Sequence, residues 1–504
     1  MKIVLRPYSR PITRRLPYSR IYLSHQNLLI SDIMNSMDRF DLIVIGSGAG
    51  ALVAAQAARA GRNTALVDQG PMGGTCLNNG CIPSKMLIHP ADIIRSIQEA
   101  GAVGINARTE KIDFPLIMDR MHKVVDEGRA KMEATIRSRE NLTYYPERAE
   151  FVDEYVLKVG SRTLTAPQFV IASGSRSSVP PIPGLKESGY IDNVSLLDKK
   201  EPPRSLIIIG GGYIGCEYGH FFSAIGAEVT ILGRSPRLLS GEDPEISGRL
   251  YDSLSRYCRV VTGHEVLSVE RNGEKKVVSA RGIKDGQTQQ FEGEEILLAA
   301  GRRSNSDLLS PERTGVEIDR QGWIRVDEYL QTSKKGIWAL GDSLGEHMFR
   351  HTANYEARIV AHNILIAQGK TEWKAPDYHA VPYAVFSHPT VAGVGMKESE
   401  AKARGLEVLV GRARYTDSAK GVAMSEEYGL VKVVLEEESG RILGASIIGP
   451  EAPELIQQVV YLMNSDRQDL STVMRSQVIH PTINEVLAVA FSKLENSRNQ
   501  EQPN

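Results

Sequence analysis

Two cysteines and a lysine in GGTCLNNGCIPSK, residues 73–85, have the types and spacing that redox chemistry requires. Four residues separate Cys76 from Cys81, and Lys85 follows them. A zinc site usually needs four nitrogen or sulfur ligands, and Cys216 and Cys258 form no second pair. A structural disulfide across so short a loop would gain little entropy. A redox pair that opens and closes explains the spacing best, with a zinc half-site and a buried structural pair as alternatives.

Two glycine-rich turns, each between an apolar strand and a small-residue helix, predict two dinucleotide sites. Such a turn lets the backbone approach a pyrophosphate, and the helix behind it presents N–H donors. One turn alone is weak evidence because glycine turns are common, but two in the same context are stronger. The third position of the first turn is Ala51, which the looser pattern permits. The glycines are Gly46, Gly48 and Gly50 in the first turn and Gly210, Gly212 and Gly215 in the second.

The residue after the next strand indicates which dinucleotide each turn takes. Asp68 ends the first unit and can accept hydrogen bonds from ribose hydroxyls. Gly233 occupies the matching position in the second unit, and Arg234 and Arg237 come after it. Guanidinium groups bind phosphate, whereas a carboxylate would repel it. The second site is therefore expected to prefer NADPH over NADH, unless both arginines are solvated loop charges.

Composition limits the class of protein. The 504 residues suffice for about three domains of roughly 100–200 residues each. The 60 basic residues nearly balance the 61 acidic ones, so no net field attracts nucleic acid. A hydrophobic share of 41% excludes a disordered chain, and no apolar run approaches the roughly 18 residues of a membrane span. Four cysteines are too few for a secreted disulfide scaffold, which indicates a reducing compartment such as the cytoplasm.

Residues 1–38 are expected to lie outside the fold. Six basic residues precede the first acid, Asp32. This composition fits a transit peptide, which would place the protein in an organelle matrix. Met37 stands directly before DRFDLIVIG. The alternative is therefore that translation begins at Met37 and that the start of the sequence was assigned too far upstream.

Further motifs extend the pattern over residues 40–494, and together they resemble the FAD-dependent pyridine nucleotide disulfide oxidoreductases. This family includes glutathione reductase, dihydrolipoyl dehydrogenase, mercuric reductase and mycothione reductase. The region around YTDSAKGVAM and the segments GRRSNSDLL and NYEARIVAHNIL are most similar to mycothione reductases. The shared motifs are GGGYIGCE, ASGSRSSVPPIPG at 172–184, AAGRRSN at 299–305, ALGDS at 339–343, HTANYEA at 351–357 and IHPTINE at 479–485.

The order of strand and helix patterns predicts the architecture. Two strand–turn–helix units, a helical stretch from 84 to 140 and a tail of strands then helices predict an α/β fold. It would have two Rossmann-like dinucleotide-binding domains and a C-terminal α+β domain. The resemblance assigns these to FAD, to NAD(P)H and to dimerisation. The expected boundaries are 39–188 and 304–372 for the FAD-binding domain, 189–303 for the NAD(P)H-binding domain, 373–495 for the dimerisation domain and 496–504 for a tail.

The resemblance also implies catalytic roles. Cys81 would be the sulfur next to the flavin, and Cys76 would attack the substrate disulfide. Lys85 and Glu217 match the family's ion pair near the flavin. His480 and Glu485 match an acid/base pair that reaches across a homodimer in this family. Histidine suits this role because imidazole exchanges protons near neutral pH. The alternative to an acid/base role is that His480 is a loop residue whose hydrogen bonds are satisfied within the structure.

The same resemblance implies the cofactors and their contacts. They would be FAD and a nicotinamide coenzyme, NADPH or else NADH, and no metal is expected. FAD would place its ribityl and phosphate region near Asp342. Tyr213 matches a gate over the nicotinamide pocket, although an aromatic ring there could simply pack. Gly174 and Gly301 lie in shared motifs and are expected to contact cofactor. Thr390 stands where the family usually has Glu, a departure without an assigned consequence.

Three functions remain open at this stage. The first is NADPH-driven reduction of a small disulfide, as in mycothione reductase. The second is dihydrolipoyl dehydrogenase activity, which oxidises dihydrolipoamide with NAD. The third is a non-catalytic nucleotide-binding flavoprotein, which would need none of the redox residues. The identity of the disulfide does not follow from the sequence.

Overall fold

The computed structural model describes residues 37–496, and its first sheet is built from buried apolar strands. The four residues LIVI of the second strand are all buried, because they lie inside a five-stranded parallel sheet. The elements are β1 (Asp38–Arg39), β2 (Leu42–Ile45), α1 (Gly50–Arg59), β3 (Thr64–Val67), α2 (Gly74–Asn78), α3 (Cys81–Glu99), α4 (Phe114–Arg137) and β4 (Leu142–Tyr145).

A small sheet and a connection to the next domain follow. Asp38 pairs with Leu164 in register, so this residue of the expected leading segment joins the small sheet. The rest of that segment, residues 1–36, lies outside the described part of the chain. The elements are β5 (Ala149–Asp153), β6 (Val156–Val159), β7 (Arg162–Thr165), β8 (Phe169–Ile171), β9 (Ser175–Ser177) and α5 (Leu185–Ser188).

The second domain repeats the first strand–turn–helix unit. Its central strands pair in parallel in the order β12-β11-β10-β16, and three antiparallel strands form a second layer. The elements are β10 (Ser205–Ile209), α6 (Tyr213–Ala224), β11 (Glu228–Leu232), α7 (Pro244–Leu254), β12 (Cys258–Val261), β13 (His264–Asn272), β14 (Lys275–Gly282), β15 (Thr288–Gly293) and β16 (Glu295–Leu298).

The chain then returns to the first domain through β17 (Arg302–Ser304), β18 (Ile337–Ala339) and α8 (Arg350–Leu365). Strand β18 pairs in parallel with β8 and completes the order β18-β8-β2-β3-β4. Alanines of α1 and α8 share one hydrophobic core, since small side chains let two helices pack closely. The first domain is therefore discontinuous in sequence.

The C-terminal domain is a six-stranded antiparallel sheet in the order β19-β20-β23-β22-β21-β24, with helices packed on it. Asn496, expected to begin the tail, pairs with Leu409 at the sheet edge. The elements are β19 (Pro382–Val385), β20 (Val391–Gly395), α9 (Glu398–Ala403), β21 (Val408–Arg414), α10 (Ala419–Ala423), β22 (Leu430–Glu436), β23 (Ile442–Ile448), α11 (Ala452–Met463), α12 (Ser471–Arg475), α13 (Asn484–Ser492) and β24 (Leu494–Asn496).

The structure confirms the predicted fold class of two Rossmann-like domains and an α+β domain. A buried ion cluster joins the second domain to the third. The Lys432 side chain, 4% exposed, contacts Asp243 at 2.8 Å, Glu245 at 2.7 Å and Glu398 at 2.8 Å. Within residues 37–496, no helix is long and apolar enough to cross a membrane.

Candidate active site

The first glycine turn brings its backbone against a neighbouring strand end. Gly46 has φ of +106°, and a Cβ there would lie 2.1 Å from the Ala172 carbonyl oxygen. Any side chain would collide with that carbonyl, so glycine is required. The turn opens α1 directly, which leaves the helix N-terminus facing the space above the sheet.

The second turn repeats this geometry. Gly210 has φ of +131°, and a Cβ there would lie 2.1 Å from the Ala299 carbonyl oxygen. A Cβ on Gly215 would lie 2.0 Å from the Gly210 oxygen, so the helix packs tightly on the turn. The two turns are thus equivalent in structure, as the sequence predicts for two dinucleotide sites.

One cavity of about 2500 Å³ runs along both turns and past both redox cysteines. Ligand pockets for single small molecules are typically about 300–1000 Å³. The cavity therefore has room for two dinucleotides. The predicted residues that line it include Asp68, Gly174, Gly301, Asp342, Cys76, Cys81, Lys85, Tyr213, Glu217, Arg234 and Arg237.

Polar groups in the first half of the cavity fit the FAD that the sequence resemblance predicts. Ser173 Oγ and Asn354 Oδ1 are buried and have no hydrogen-bond partner within residues 37–496. Both residues line the cavity, and buried polar atoms without partners are costly unless a ligand satisfies them. The Asp68 carboxylate lies at the end of β3, where Ser47 N donates at 2.6 Å and Gly70 N at 2.9 Å.

Asp342 also lines the cavity and lies in a short polar network. Ser175 Oγ donates to Asp342 Oδ2 at 2.7 Å, and the Arg302 Nε donates to Ser175 Oγ at 2.7 Å. Arg302 Nε lies 3.7 Å from the Asp342 carboxylate. Arg302 was not predicted as a site residue, although its place directly after Gly301 in a strand-to-glycine turn was a usable signal.

Cys76 lies in α2, and Cys81 is the first residue of α3, so a tight turn brings the two free thiols together. Their pKa values move in opposite directions. The hydrogen bond from the Cys76 thiol, with the nearby Lys85 cation, lowers the pKa of Cys81 to about 7. The same bond, together with burial, raises the pKa of Cys76. One sulfur is therefore ready to ionise near neutral pH while its neighbour holds the proton.

Lys85 and Glu217, 132 positions apart, form a two-pronged ion pair. Lys85 Nζ lies 2.8 Å from Glu217 Oε1 and 2.9 Å from Oε2. Phe386 also contacts the pair, because its N–H donates to Glu217 Oε1 at 3.0 Å and its ring lies 4.2 Å from Lys85 Nζ. Phe386 was not predicted as a site residue, because a backbone N–H donor and a single aromatic ring leave no recognisable motif in the sequence.

Tyr213 lies at the start of α6 among near-parallel rings. Its ring centroid lies 6.1 Å from Phe349 and 6.1 Å from Tyr383, with interplanar angles of 20° and 13°. The Tyr383 hydroxyl donates to Glu242, which fixes that ring. Burial raises the pKa of Tyr213 to about 12, so its hydroxyl stays neutral. Tyr213 packs against these rings and also lines the cavity, where its ring can contact a flat ligand.

The loop after β11 carries the residues expected to choose between coenzymes. Arg234 is 79% exposed and lies 3.6 Å from Glu265, while Arg237 is exposed. A Cβ on Gly233 would meet no atom closer than 3.7 Å. His264 lies beside this loop, and its Nε2 is buried without a partner in the described part of the chain. A Cβ at position 233 therefore fits without a clash.

His480 and Glu485 lie together on the C-terminal domain. His480 Nδ1 is 2.8 Å from Glu485 Oε1, and Thr482 N donates to Oε2 at 3.0 Å. The hydrogen bond with His480 lowers the pKa of Glu485. The imidazole is 71% exposed, and within residues 37–496 of one chain neither residue lines the cavity. Thr390 also lies outside the cavity lining, and its hydroxyl donates weakly to Ser387 O at 3.5 Å.

Comparison with known proteins places these features in a family. Residues 40–363 match the family described as pyridine nucleotide-disulphide oxidoreductase, and residues 381–491 match the dimerisation domain of that family. Mycothione reductase of Mycobacterium tuberculosis is 34% identical over 90% of this chain and 99% of its own. Dihydrolipoyl dehydrogenase of Chlamydia muridarum is 34% identical over 90% and 96%. The HOCl-induced flavoprotein disulfide reductase RclA of Escherichia coli has a similar structure, with a TM-score of 0.80 and 29% identity over 90% and 99%.

Proposed function

The chain belongs to the pyridine nucleotide-disulphide oxidoreductase family, and from that membership we propose that it uses NADPH to reduce a low-molecular-weight disulfide, as mycothione reductases do. The family's enzymes are flavoproteins that act on sulfur groups with NAD(P)H, which excludes the non-catalytic alternative. The observation that carries the proposal is the thiol pair with opposite pKa shifts, beside Lys85 in a cavity with two dinucleotide turns.

The first glycine turn at Gly46, with Asp68 and Asp342 in the same cavity, would hold FAD, which would supply two-electron transfer between the nicotinamide and the cysteine pair. The protein's own residues prepare that pair. Lys85 lowers the pKa of Cys81 through its charge, and Glu217 with Phe386 keeps the ammonium group in place. Cys81 is thus stabilised as a thiolate in the reduced pair, while Cys76 keeps its proton until the substrate arrives.

The sulfur exchange then balances without another reagent. Cys76 Sγ loses its proton and attacks one sulfur of the substrate disulfide, which forms a mixed disulfide and releases the first thiolate. A base must take the Cys76 proton and return it to that thiolate. The Cys81 thiolate then attacks Cys76 Sγ, which re-forms the Cys76–Cys81 disulfide and releases the second thiolate. That thiolate takes up the one proton of the net reaction from solvent. The net reaction converts disulfide, NADPH and one proton into two thiols and NADP⁺.

His480 is proposed as that base, acting on the cysteines of a partner subunit. The hydrogen bond with Glu485 orients the ring and supports its protonated form. Within one chain the imidazole faces solvent and not the cavity, while the chain carries the family's dimerisation domain. Both facts support a homodimer in which each site draws residues from two chains.

Coenzyme choice is proposed to depend on Gly233 and Arg234. No carboxylate at position 233 can accept the ribose hydroxyls of NADH, and Arg234 offers a planar donor fork for a 2′-phosphate. The Arg234 side chain is exposed and only 3.6 Å from Glu265, so it can turn toward a phosphate at small cost.

Dihydrolipoyl dehydrogenase is the second candidate, because the Chlamydia muridarum enzyme is as similar in identity as the mycothione reductase. The two differ in coenzyme and direction. A steady-state panel with mycothiol disulfide, glutathione disulfide and lipoamide, each with NADPH and with NADH, separates them. The proposal expects NADPH to be favoured by about one to two powers of ten in kcat/KM.

A double substitution tests the reason for that preference. Gly233→Glu with Arg234→Ala adds a ribose acceptor and removes the phosphate donor, so the preference should reverse. Lys284→Ala, an exposed cation of the same domain outside the cavity lining, is the control and should leave the order of coenzymes unchanged. An unmodified enzyme that prefers NADH and oxidises dihydrolipoamide would move the second candidate to first place.

A further inference from the structure

Arg350, a residue of no motif in the sequence, points into the first half of the cavity. It is the first residue of α8 and lines the cavity. Its Nη1 lies 3.7 Å from where a Cβ on Gly48 would be, and the Cα of Gly74 lies 4.0 Å from the same point. The guanidinium group is therefore beside the first glycine turn, at ordinary contact distance from where a Gly48 Cβ would lie.

This guanidinium group lacks a partner within residues 37–496. No carboxylate of that range lies within 4 Å of it, and none of its N–H groups donates a hydrogen bond. A guanidinium group has five donors in a fixed fork, and leaving them unused in a concave site is unfavourable. The other cations of this half are paired: Lys85 with Glu217 at 2.8 Å, Arg302 with Asp342 at 3.7 Å and Arg176 with Asp307 at 2.6 Å.

The nearby thiol is not the missing anion. The hydrogen bond with Cys81 and burial raise the pKa of Cys76, and the opposing field of Arg350 does not reverse that rise. Cys76 therefore stays neutral in the reduced pair. An anionic ligand that passes the Gly48 turn would supply the missing charge, and the ligand of this half is the family's FAD, whose pyrophosphate carries two negative charges.

We propose that Arg350 binds the FAD pyrophosphate and supplies the side-chain cation that the glycine turn lacks. The turn itself offers only backbone N–H groups, whereas the guanidinium fork matches two phosphate oxygens at once. The inference concerns retention of FAD and rests on the FAD site, not on the disulfide substrate or the coenzyme.

FAD release from the holoenzyme tests this role. The dissociation rate is measured from the fluorescence of released FAD after dilution, at several salt concentrations. Arg350→Met should release FAD at least about tenfold faster than the unmodified enzyme, since charged hydrogen bonds are lost. Arg350→Lys should fall between, because an ammonium group keeps the charge but not the fork. Arg358→Met, an exposed arginine on the same helix, should release FAD at the unmodified rate.

Salt provides the second readout. Release from the unmodified enzyme should accelerate with ionic strength, and Arg350→Met should lose part of that dependence. Equal release rates and equal salt dependence would overturn the proposal, as would a variant that changes only the alkylation rate of Cys76. If Arg350→Met does not fold, Arg350→Lys serves as the test. Release of FAD from Arg350→Lys at the unmodified rate, together with a release rate that does not change with salt, would refute phosphate binding by Arg350. An enzyme that retains FAD but reduces no disulfide would refute the proposed function alone.

Discussion

The acidity of Cys81 can be separated into its causes by substitutions around it. The Cys76 hydrogen bond is the largest cause of the low pKa, and the Lys85 charge adds to it, while the Glu217 charge opposes it. Cys76→Ser keeps a hydroxyl donor, whereas Cys76→Ala removes the donor. Lys85→Met and Glu217→Gln remove one charge each, of opposite sign.

The structure fixes the order of the effects. A pKa of about 7, against the ordinary 9.0, leaves half of Cys81 ionised at neutral pH, and an unperturbed thiol would be about one per cent ionised. Cys76→Ala should raise the pKa by about one, which lowers the thiolate fraction at pH 7 several-fold. Lys85→Met should raise it by less, Glu217→Gln should lower it, and Cys76→Ser should change it least.

The assay is the pH dependence of Cys81 alkylation in the reduced, anaerobic holoenzyme. Iodoacetamide reacts with the thiolate, and fragmentation of the peptide that contains both cysteines in the mass spectrometer distinguishes alkylation at Cys81 from alkylation at Cys76. Flavin absorbance and circular dichroism show whether each variant keeps its fold and cofactor. If Cys76→Ala and Cys76→Ser titrate alike, the hydrogen bond is not the cause. If Lys85→Met lowers the pKa, the sign of the electrostatic argument is wrong.

Three further predictions concern the dimer, the base and the domain contacts. A mixture of inactive Cys76→Ser and His480→Ala subunits should recover about a quarter of the unmodified activity, since half of the sites in a mixed dimer are intact; no recovery would refute the shared site. Glu485→Gln should lower kcat/KM for the disulfide about 10- to 100-fold but leave stopped-flow reduction by NADPH unchanged, and an equal loss in both steps would contradict the assignment. Lys432→Met should destabilise the fold by about 3–5 kcal/mol in denaturant unfolding because it leaves buried carboxylates unpaired. Lys420→Met, at an exposed site, is the control, and equal stability of the two variants would refute the estimate.

Local patterns in the sequence predicted the parts of the fold whose causes are local. The strand before each glycine turn is a buried apolar run, and the turn needs a conformation and closeness that only glycine allows. The helical stretch predicted from 84 to 140 is divided in the structure. The first helix begins at Cys81, and the second begins only at Phe114. Gly104, with φ of +83°, marks the break, and its glycine was the available signal.

Contacts between distant segments could not be derived from spacing. The Lys85–Glu217 pair joins residues 132 positions apart, so only the family resemblance suggested it. Phe386 and Arg350 belong to no motif. They reach the cavity only because the third domain and α8 pack beside it, which spacing in the sequence does not reveal. His480 and Glu485 are close in sequence and adjacent in the structure, but the cysteines on which we propose that they act belong to a second chain.

The position of Glu217 also constrains how this chain could be recombined with its relatives. This carboxylate belongs to the second domain, yet it bonds a side chain of the first domain and a backbone N–H of the third. A chimaera that exchanged residues 189–303 would therefore import one half of the redox site along with a new coenzyme pocket. A donor domain without a glutamate at this position would leave Lys85 without its carboxylate partner, so a replacement domain for this chain should keep that glutamate.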